Sequence, residues 1–330
     1  MTLFQSIAVV GAGAWGTALA NAAARAGREV MLVARDPDHA AEMTQQRENR
    51  RRLPGVALEA GVTPTSDLAR ATSARAVLLV TPAQSCAAMA QALSLVLKPG
   101  TPVVLCAKGI DRASRLFLGD LLADVLPRQP FAVLSGPSFA DDVSIGLPTA
   151  VVLASADAII AEALALALSG PTFRVYHGTD VRGVEIGGAA KNVLAIACGA
   201  VIGRGLGESA RAALVARGFA ELMRFARAYG GEAQTLMGLS GLGDLVLTAS
   251  SLKSRNFAFG HALGQGASVA TASGGRLAEG ALTAAALVDL AAARGVDMPI
   301  SAQVAALVEG RVSLDDAIAA LMSRPTKAED

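Results

Sequence analysis

The chain has 330 residues, 52% hydrophobic and 17% charged, which is enough to bury a sizeable core and exceeds the usual length of one domain. A formal net charge of +1 and an aromatic content of 4% argue against a nucleic-acid surface, which carries a basic stripe and stacking rings. Cys86, Cys106 and Cys198 form no CxxC pair, and His39, His177 and His261 lie far apart without metal-ligand spacing, so the reading is a reducing cytoplasm and no metal.

In chain order, the first feature is an apolar, alanine-rich stretch over residues 7–24. It is superficially like the middle of a signal peptide, but no positive charge precedes it and glycines interrupt it. The expectation is therefore mature structure from residue 1. Short apolar runs at Ser6–Val10, 29–34, 75–80, 102–107, 131–134 and Thr149–Ala154 alternate with helical patterns, the signature of βαβ units and a mostly parallel sheet. Residues 173–176 can add a seventh strand after a helix over 156–168, with Gly170 and Pro171 at the turn. After about residue 180 the pattern turns helical, with segments over 181–202, 208–229, 256–263, 279–294 and 301–308. The expected fold is α/β: a Rossmann-type, doubly wound sheet in a dinucleotide-binding domain of residues 1–180, then an all-helical substrate-binding domain of residues 181–330. The helix beginning near Val181 is expected to form the hinge and one cleft wall, and the polar tail over 323–330 to fray. No membrane insertion is expected. The two best candidate spans, 149–168 and 186–202, contain Asp157 and Glu162 or Lys191 and Asn192, which are costly in lipid.

Gly11-Ala12-Gly13-Ala14-Trp15-Gly16 follows a strand and opens a helix. In that context Gly11 permits a tight turn, Gly13 lets backbone amides approach a pyrophosphate, and Gly16 lets the helix pack on the strand. The phosphates then meet the positive helix end. The second strand runs out at Arg35-Asp36, where a guanidinium favours the 2′-phosphate of NADP and the acid one residue later leaves NAD open.

Ligands in such sheets bind beyond the carboxyl ends of strands, which draws attention to Lys108-Gly109 and to Ser135-Gly136-Pro137-Ser138-Phe139-Ala140. Either loop alone reads equally well as turn chemistry. Lys191 lies in Gly187-Gly188-Ala189-Ala190-Lys191-Asn192 without a helical acid neighbour. An isolated lysine among small residues points to a cleft, where desolvation lowers its pKa toward the range of a general acid or base. Asp244, ending Gly241-Leu242-Gly243, is either a helix cap or a partner that orients Lys191 or accepts a substrate hydroxyl. Ser254-Arg255-Asn256 heads another helix and offers a phosphate seat, with an ordinary capped helix as the alternative. Glu279-Gly280 is too short to interpret unaided.

Taken in order, these motifs make the chain resemble the NAD(P)-dependent glycerol-3-phosphate dehydrogenase family over nearly its whole length. The resemblance implies reversible NAD(P)H-dependent reduction of dihydroxyacetone phosphate to sn-glycerol 3-phosphate, feeding glycerophospholipid biosynthesis, in a homodimer. It implies NADPH/NADP contacts, with NADH as the alternative, by Ala14, Trp15, Arg35, Lys108, Ala140, Arg255 and Glu279, and by Leu277 through its backbone. It implies substrate contacts by Lys108, Gly136, Ser138, Lys191, Asp244, Ser254, Arg255 and Asn256. It also implies Lys191 as the proton acceptor for alcohol oxidation, with Asn192 and Asp244 holding the geometry of the reaction. Ala14 stands where many relatives carry serine, so only a backbone contact is expected there. β-Hydroxyacid dehydrogenases share the plan but place asparagine four residues after the lysine, where this chain has Ala195. A non-catalytic NADP-sensing module would need the glycine loop but not Lys191, Asp244 and Arg255 together.

Overall fold

The structure is a computed structural model that describes residues 4–275 and 277–325; residues 326–330 of the expected frayed tail lie outside the described residues. The seven expected runs and one further segment, Val62–Thr65, become strands β1 (Ser6–Val10), β2 (Glu29–Val33), β3 (Val62–Thr65), β4 (Ala76–Leu79), β5 (Val103–Leu105), β6 (Phe131–Ser135), β7 (Thr149–Ala154) and β8 (Phe173–Gly178). Their order is β3-β2-β1-β4-β5-β6-β7-β8. All neighbours are parallel except the antiparallel pair β6 and β7. The order reverses between β1 and β4, and this switch point opens a crevice at the strand ends.

Around the sheet run α1 (Ala14–Arg25), α2 (Pro37–Gln46), α3 (Cys86–Ser94), α4 (Leu118–Val125), α5 (Ala140–Ser144) and α6 (Ala158–Leu168). One buried apolar layer lies on the face covered by Leu19, Ala22, Leu164 and Leu168, and another on the face covered by Leu93, Leu118 and Leu122. Covering on both faces explains why most strands read as continuous apolar runs. β3 escaped the sequence reading because Val-Thr-Pro-Thr is short and holds Pro64. A proline is tolerated there because β3 is an edge strand. β4 and β5 are also shorter than the runs that announced them.

The helical half comprises α7 (Val181–Gly203), α8 (Gly207–Ala228), α9 (Ala233–Met237), a π-turn at Leu239–Gly243, α10 (Asp244–Thr248), α11 (Arg255–Gly264), α12 (Val269–Ser273), α13 (Glu279–Ala293), α14 (Pro299–Val308) and α15 (Leu314–Met322). α7 is long and apolar enough to cross a membrane, yet 78% of its 18-residue apolar stretch is buried inside the fold. Helices α8, α11 and α13 pack around it.

Glycine makes this crowding feasible. A Cβ at Gly199 or Gly203 of α7 would overlap the backbone of Phe257 or His261, and one at Gly260 or Gly264 of α11 would overlap Ile196 or Ala200. The two helices therefore cross backbone to backbone, and that crossing sets the distance from Lys191 to the start of α11. Gly199→Ala should lower unfolding stability in urea by about 1–3 kcal/mol, the usual cost of overpacking. Gly178→Ala, whose Cβ would meet nothing within 4 Å, is the control.

Candidate active site

At the end of β1, Gly11 has φ +120°, and a Cβ there would stand 2.8 Å from the carbonyl oxygen of Val80. A Cβ on Gly16 would overlap the carbonyl of Gly11, whereas one on Gly13 would meet nothing within 4 Å. Two of the glycines are thus demanded by packing, while the third faces open space. Gly13 caps α1 without any side-chain hydrogen bond, and Ala14 and Trp15 follow as its first helical residues. An uncapped helix start beside an open glycine face fits the pyrophosphate of a dinucleotide.

Arg35 is exposed just beyond β2. Asp36 is already engaged: its Oδ1 accepts the Asp38 N–H at 3.0 Å to cap α2, and its Oδ2 pairs with Arg51 at 2.7 Å. The acid that left NAD open in the sequence is thus partly neutralised.

The candidate chemical centre lies where β5, β6, α7 and α10 converge. Lys191 Nζ donates to Asp244 Oδ1 at 2.6 Å and to Thr248 Oγ1 at 2.7 Å. Lys108 Nζ donates to Asp244 Oδ2 at 2.6 Å and to the Gly136 carbonyl at 3.1 Å. Asp244 is 1% exposed and Lys191 5%, so one buried carboxylate serves two ammonium groups and the trio keeps one excess positive charge. Burial pushes the Lys191 ammonium down to about 8, helped by the Lys108 charge and opposed by Asp244. Asp244 resists the upward push of its own burial and lies below the usual carboxylate value, because both lysines stabilise its charge. The structure thus brings a buried Lys191 and Asp244 together, and Gly243, not Asp244, occupies the N-cap of α10.

Thr248 was missed, although it follows Asp244 by four residues and so shares its helix face. Asn192 follows Lys191 on α7. Its Oδ1 accepts from Asn256 Nδ2 at 3.0 Å, and Asn256 Oδ1 accepts the Gly280 N–H at 2.8 Å. Successive helical residues diverge by about 100°, so Asn192 ties α7 to α11 and α13 instead of contacting Lys191. Ser254 caps α11 by accepting the Phe257 N–H at 3.2 Å, and Arg255 is exposed as the first helical residue. Ser138 donates to the Gly136 carbonyl at 3.0 Å. Ala140 opens α5, whose Asp142 pairs at 3.0 Å with Lys253, next to Ser254. Glu279 opens α13 with its carboxylate against Gly109, where an added Cβ would stand 3.2 Å away. Leu277, two residues earlier, is half-buried.

Residues 6–161 match the family described as NAD-dependent glycerol-3-phosphate dehydrogenase N-terminus, and residues 180–319 match its C-terminus. The chain belongs to this family. It is 63% identical over 329 residues, covering 100% of this chain and 100% of the relative, to a glycerol-3-phosphate dehydrogenase [NAD(P)+] of Azorhizobium caulinodans. It is 63% identical over 330 residues, covering 100% of this chain and 99% of the relative, to one of Methylobacterium radiotolerans. The crystal structure of glycerol-3-phosphate dehydrogenase from Coxiella burnetii superposes with a TM-score of 0.92 at 37% identity, over 97% of this chain and 99% of that one. The chain is thus an oxidoreductase of an NAD(P)-dependent dehydrogenase family.

Because the Asp244 carboxylate is bonded to both lysines, Asp244→Ala should cost about 3–5 kcal/mol of stability, as removal of one member of a buried ion pair does. Denaturant unfolding would measure it, and a loss below about 1 kcal/mol would show that the trio is not coupled.

Proposed function

We propose that this dehydrogenase reduces dihydroxyacetone phosphate reversibly to sn-glycerol 3-phosphate, with NADPH preferred and NADH as the alternative cofactor. The observation that carries the reading is the buried Lys191, Asp244 and Lys108 trio beyond the carboxyl ends of β5 and β6. Lys191 gives its proton to the ketone oxygen as negative charge develops there. Asp244 holds Lys191 in place, and Lys108 keeps positive potential at the same point, so the donors are aimed before the reaction begins. Each tenfold in rate corresponds to about 1.4 kcal/mol of such stabilisation. Gly136, Ser138, Ser254, Arg255 and Asn256 form the remaining walls for the triol backbone and phosphate, with Asn192 holding Asn256. The bound nicotinamide supplies the hydride. Gly11, Gly13, Ala14, Trp15 and Gly16 hold its pyrophosphate side, Arg35 the 2′-phosphate, and Lys108, Ala140, Arg255, Leu277 and Glu279 the remainder.

In this reading residues 1–180 form the dinucleotide-binding domain and residues 181–330 the substrate-binding domain, each lending residues to the other's ligand, and α7 is the hinge between them. The protein works in the cytoplasm as a homodimer, and its product feeds glycerophospholipid synthesis.

The direct assay is NADPH oxidation with dihydroxyacetone phosphate. Stoichiometric consumption of both is expected, and no consumption above background would overturn the proposal. Lys191→Ala should lower kcat about a thousandfold, within the range for loss of a general acid, while still binding NADPH. Since Lys191 must be protonated for reduction, the reductive kcat should be flat below the value of about 8 and fall above it. Alcohol oxidation, which needs the free amine, should rise through the same region. Arg35→Ala should raise KM for NADPH about tenfold, as loss of a charge-assisted contact does, and leave KM for NADH in place; an unchanged ratio would remove Arg35 from cofactor selection.

A further inference from the structure

Beneath the glycine loop lies a buried polar network that the reaction itself does not use. Asn49, three residues past α2, is 0% exposed. Its Nδ2 donates to the Ala12 carbonyl at 3.1 Å and to Thr17 Oγ1 at 2.7 Å. Thr17 in turn donates to the Gly13 carbonyl at 2.9 Å. On the other side, Asn49 Oδ1 meets Nε2 of His39 at 2.8 Å, and His39 is 7% exposed. The backbone carbonyl of Asn49 accepts from Arg52 and Leu53 at 3.1 and 2.8 Å, which fixes the turn that presents it.

We propose that Asn49, oriented by His39, is a positioning residue for cofactor binding: it fixes the loop peptides whose N–H groups receive the dinucleotide phosphates. The inference rests on the NAD(P)-dependent reading of the site. The described peptide bonds are all trans, so the carbonyl and N–H of one peptide point in opposite directions. Drawing the Ala12 carbonyl down to Asn49 therefore turns the Gly13 N–H up. Holding the Gly13 carbonyl through Thr17 does the same for the Ala14 N–H. These are the amides beside the open face of Gly13. With His39 donating from Nε2, the Asn49 carboxamide is held with its oxygen away from the loop and both N–H protons toward it. A flipped amide would set oxygen against the Ala12 oxygen. Since Ala14 offers no hydroxyl, the phosphate grip of this loop depends on these backbone amides.

Trp15 is the chain's one tryptophan and lies within the loop, so its fluorescence reports binding without turnover. NADPH titration should give a Kd about tenfold higher for Asn49→Ala than for wild type, the effect of losing one to two buried hydrogen bonds. Calorimetry with adenosine 2′-phosphate, which lacks the pyrophosphate, should give equal affinity for both proteins. A general loosening of the fold would instead weaken both ligands equally and overturn the proposal. His39→Gln, which keeps a donor for Asn49 Oδ1, should bind NADPH more tightly than His39→Leu. If Asn49→Ala does not fold, this pair decides, and equal Kd values for the two variants and wild type would overturn the role of the network. Wild-type protein that binds no NADPH would overturn the cofactor reading beneath it. Equal NADPH binding by wild type and Asn49→Ala would overturn the Asn49 assignment alone.

Discussion

The carboxylate of Asp244 stands almost without solvent between two ammonium groups, and much of the molecule is arranged to bring it there. Lys108 arrives from the end of β5, Lys191 from the middle of α7, and Asp244 from the first turn of α10. Burying one unpaired ion costs several kcal/mol, so the three groups are tolerable only together. In the proposed reaction the surplus of one positive charge is what makes the trio more than a structural ion pair. It leaves a cationic point in a low-dielectric crevice, where attraction to a developing oxyanion is stronger than in water.

Such a crevice requires close backbone approach, and α7 supplies it through small residues. A Cβ on Gly188 would stand 2.8 Å from Ser135 Oγ and 3.3 Å from Cγ of Lys108, and one on Gly187 would stand 2.6 Å from the Ser240 carbonyl. Further along, Gly199 and Gly203 admit α11. The helix is therefore covered on nearly every side, which is why it reads as apolar all round. It also explains how a lysine at its centre comes to lie in the crevice: every other direction is occupied.

Asparagine plays a comparable part at the joints. Asn256 links Asn192 to the start of α13, Asn21 fastens the 57–59 segment to α1, and Asn49 fastens the turn at residues 49–53 to the glycine loop. A carboxamide offers both donor and acceptor without charge, so it can bridge two backbones in a buried place at no Born cost.

Read alone, the sequence determined the glycine loop, the alternation of strands and helices, the change to helices near residue 180, and the isolation of Lys191 among small residues. These follow from local rules: periodicity, turn chemistry and the absence of a neighbouring acid. The short edge strand β3 was not legible, because four residues with a central proline carry no local strand signal. Tertiary structure alone decided which acid meets Lys191, that Thr248 joins them, that Asn192 turns away, and that Asn49 and His39 lie beneath the loop. Lys191 and Asp244 are 53 residues apart, and no periodicity in the chain encodes contacts across such a distance. Only the crossing of α7 with its neighbours brings these side chains within hydrogen-bond reach.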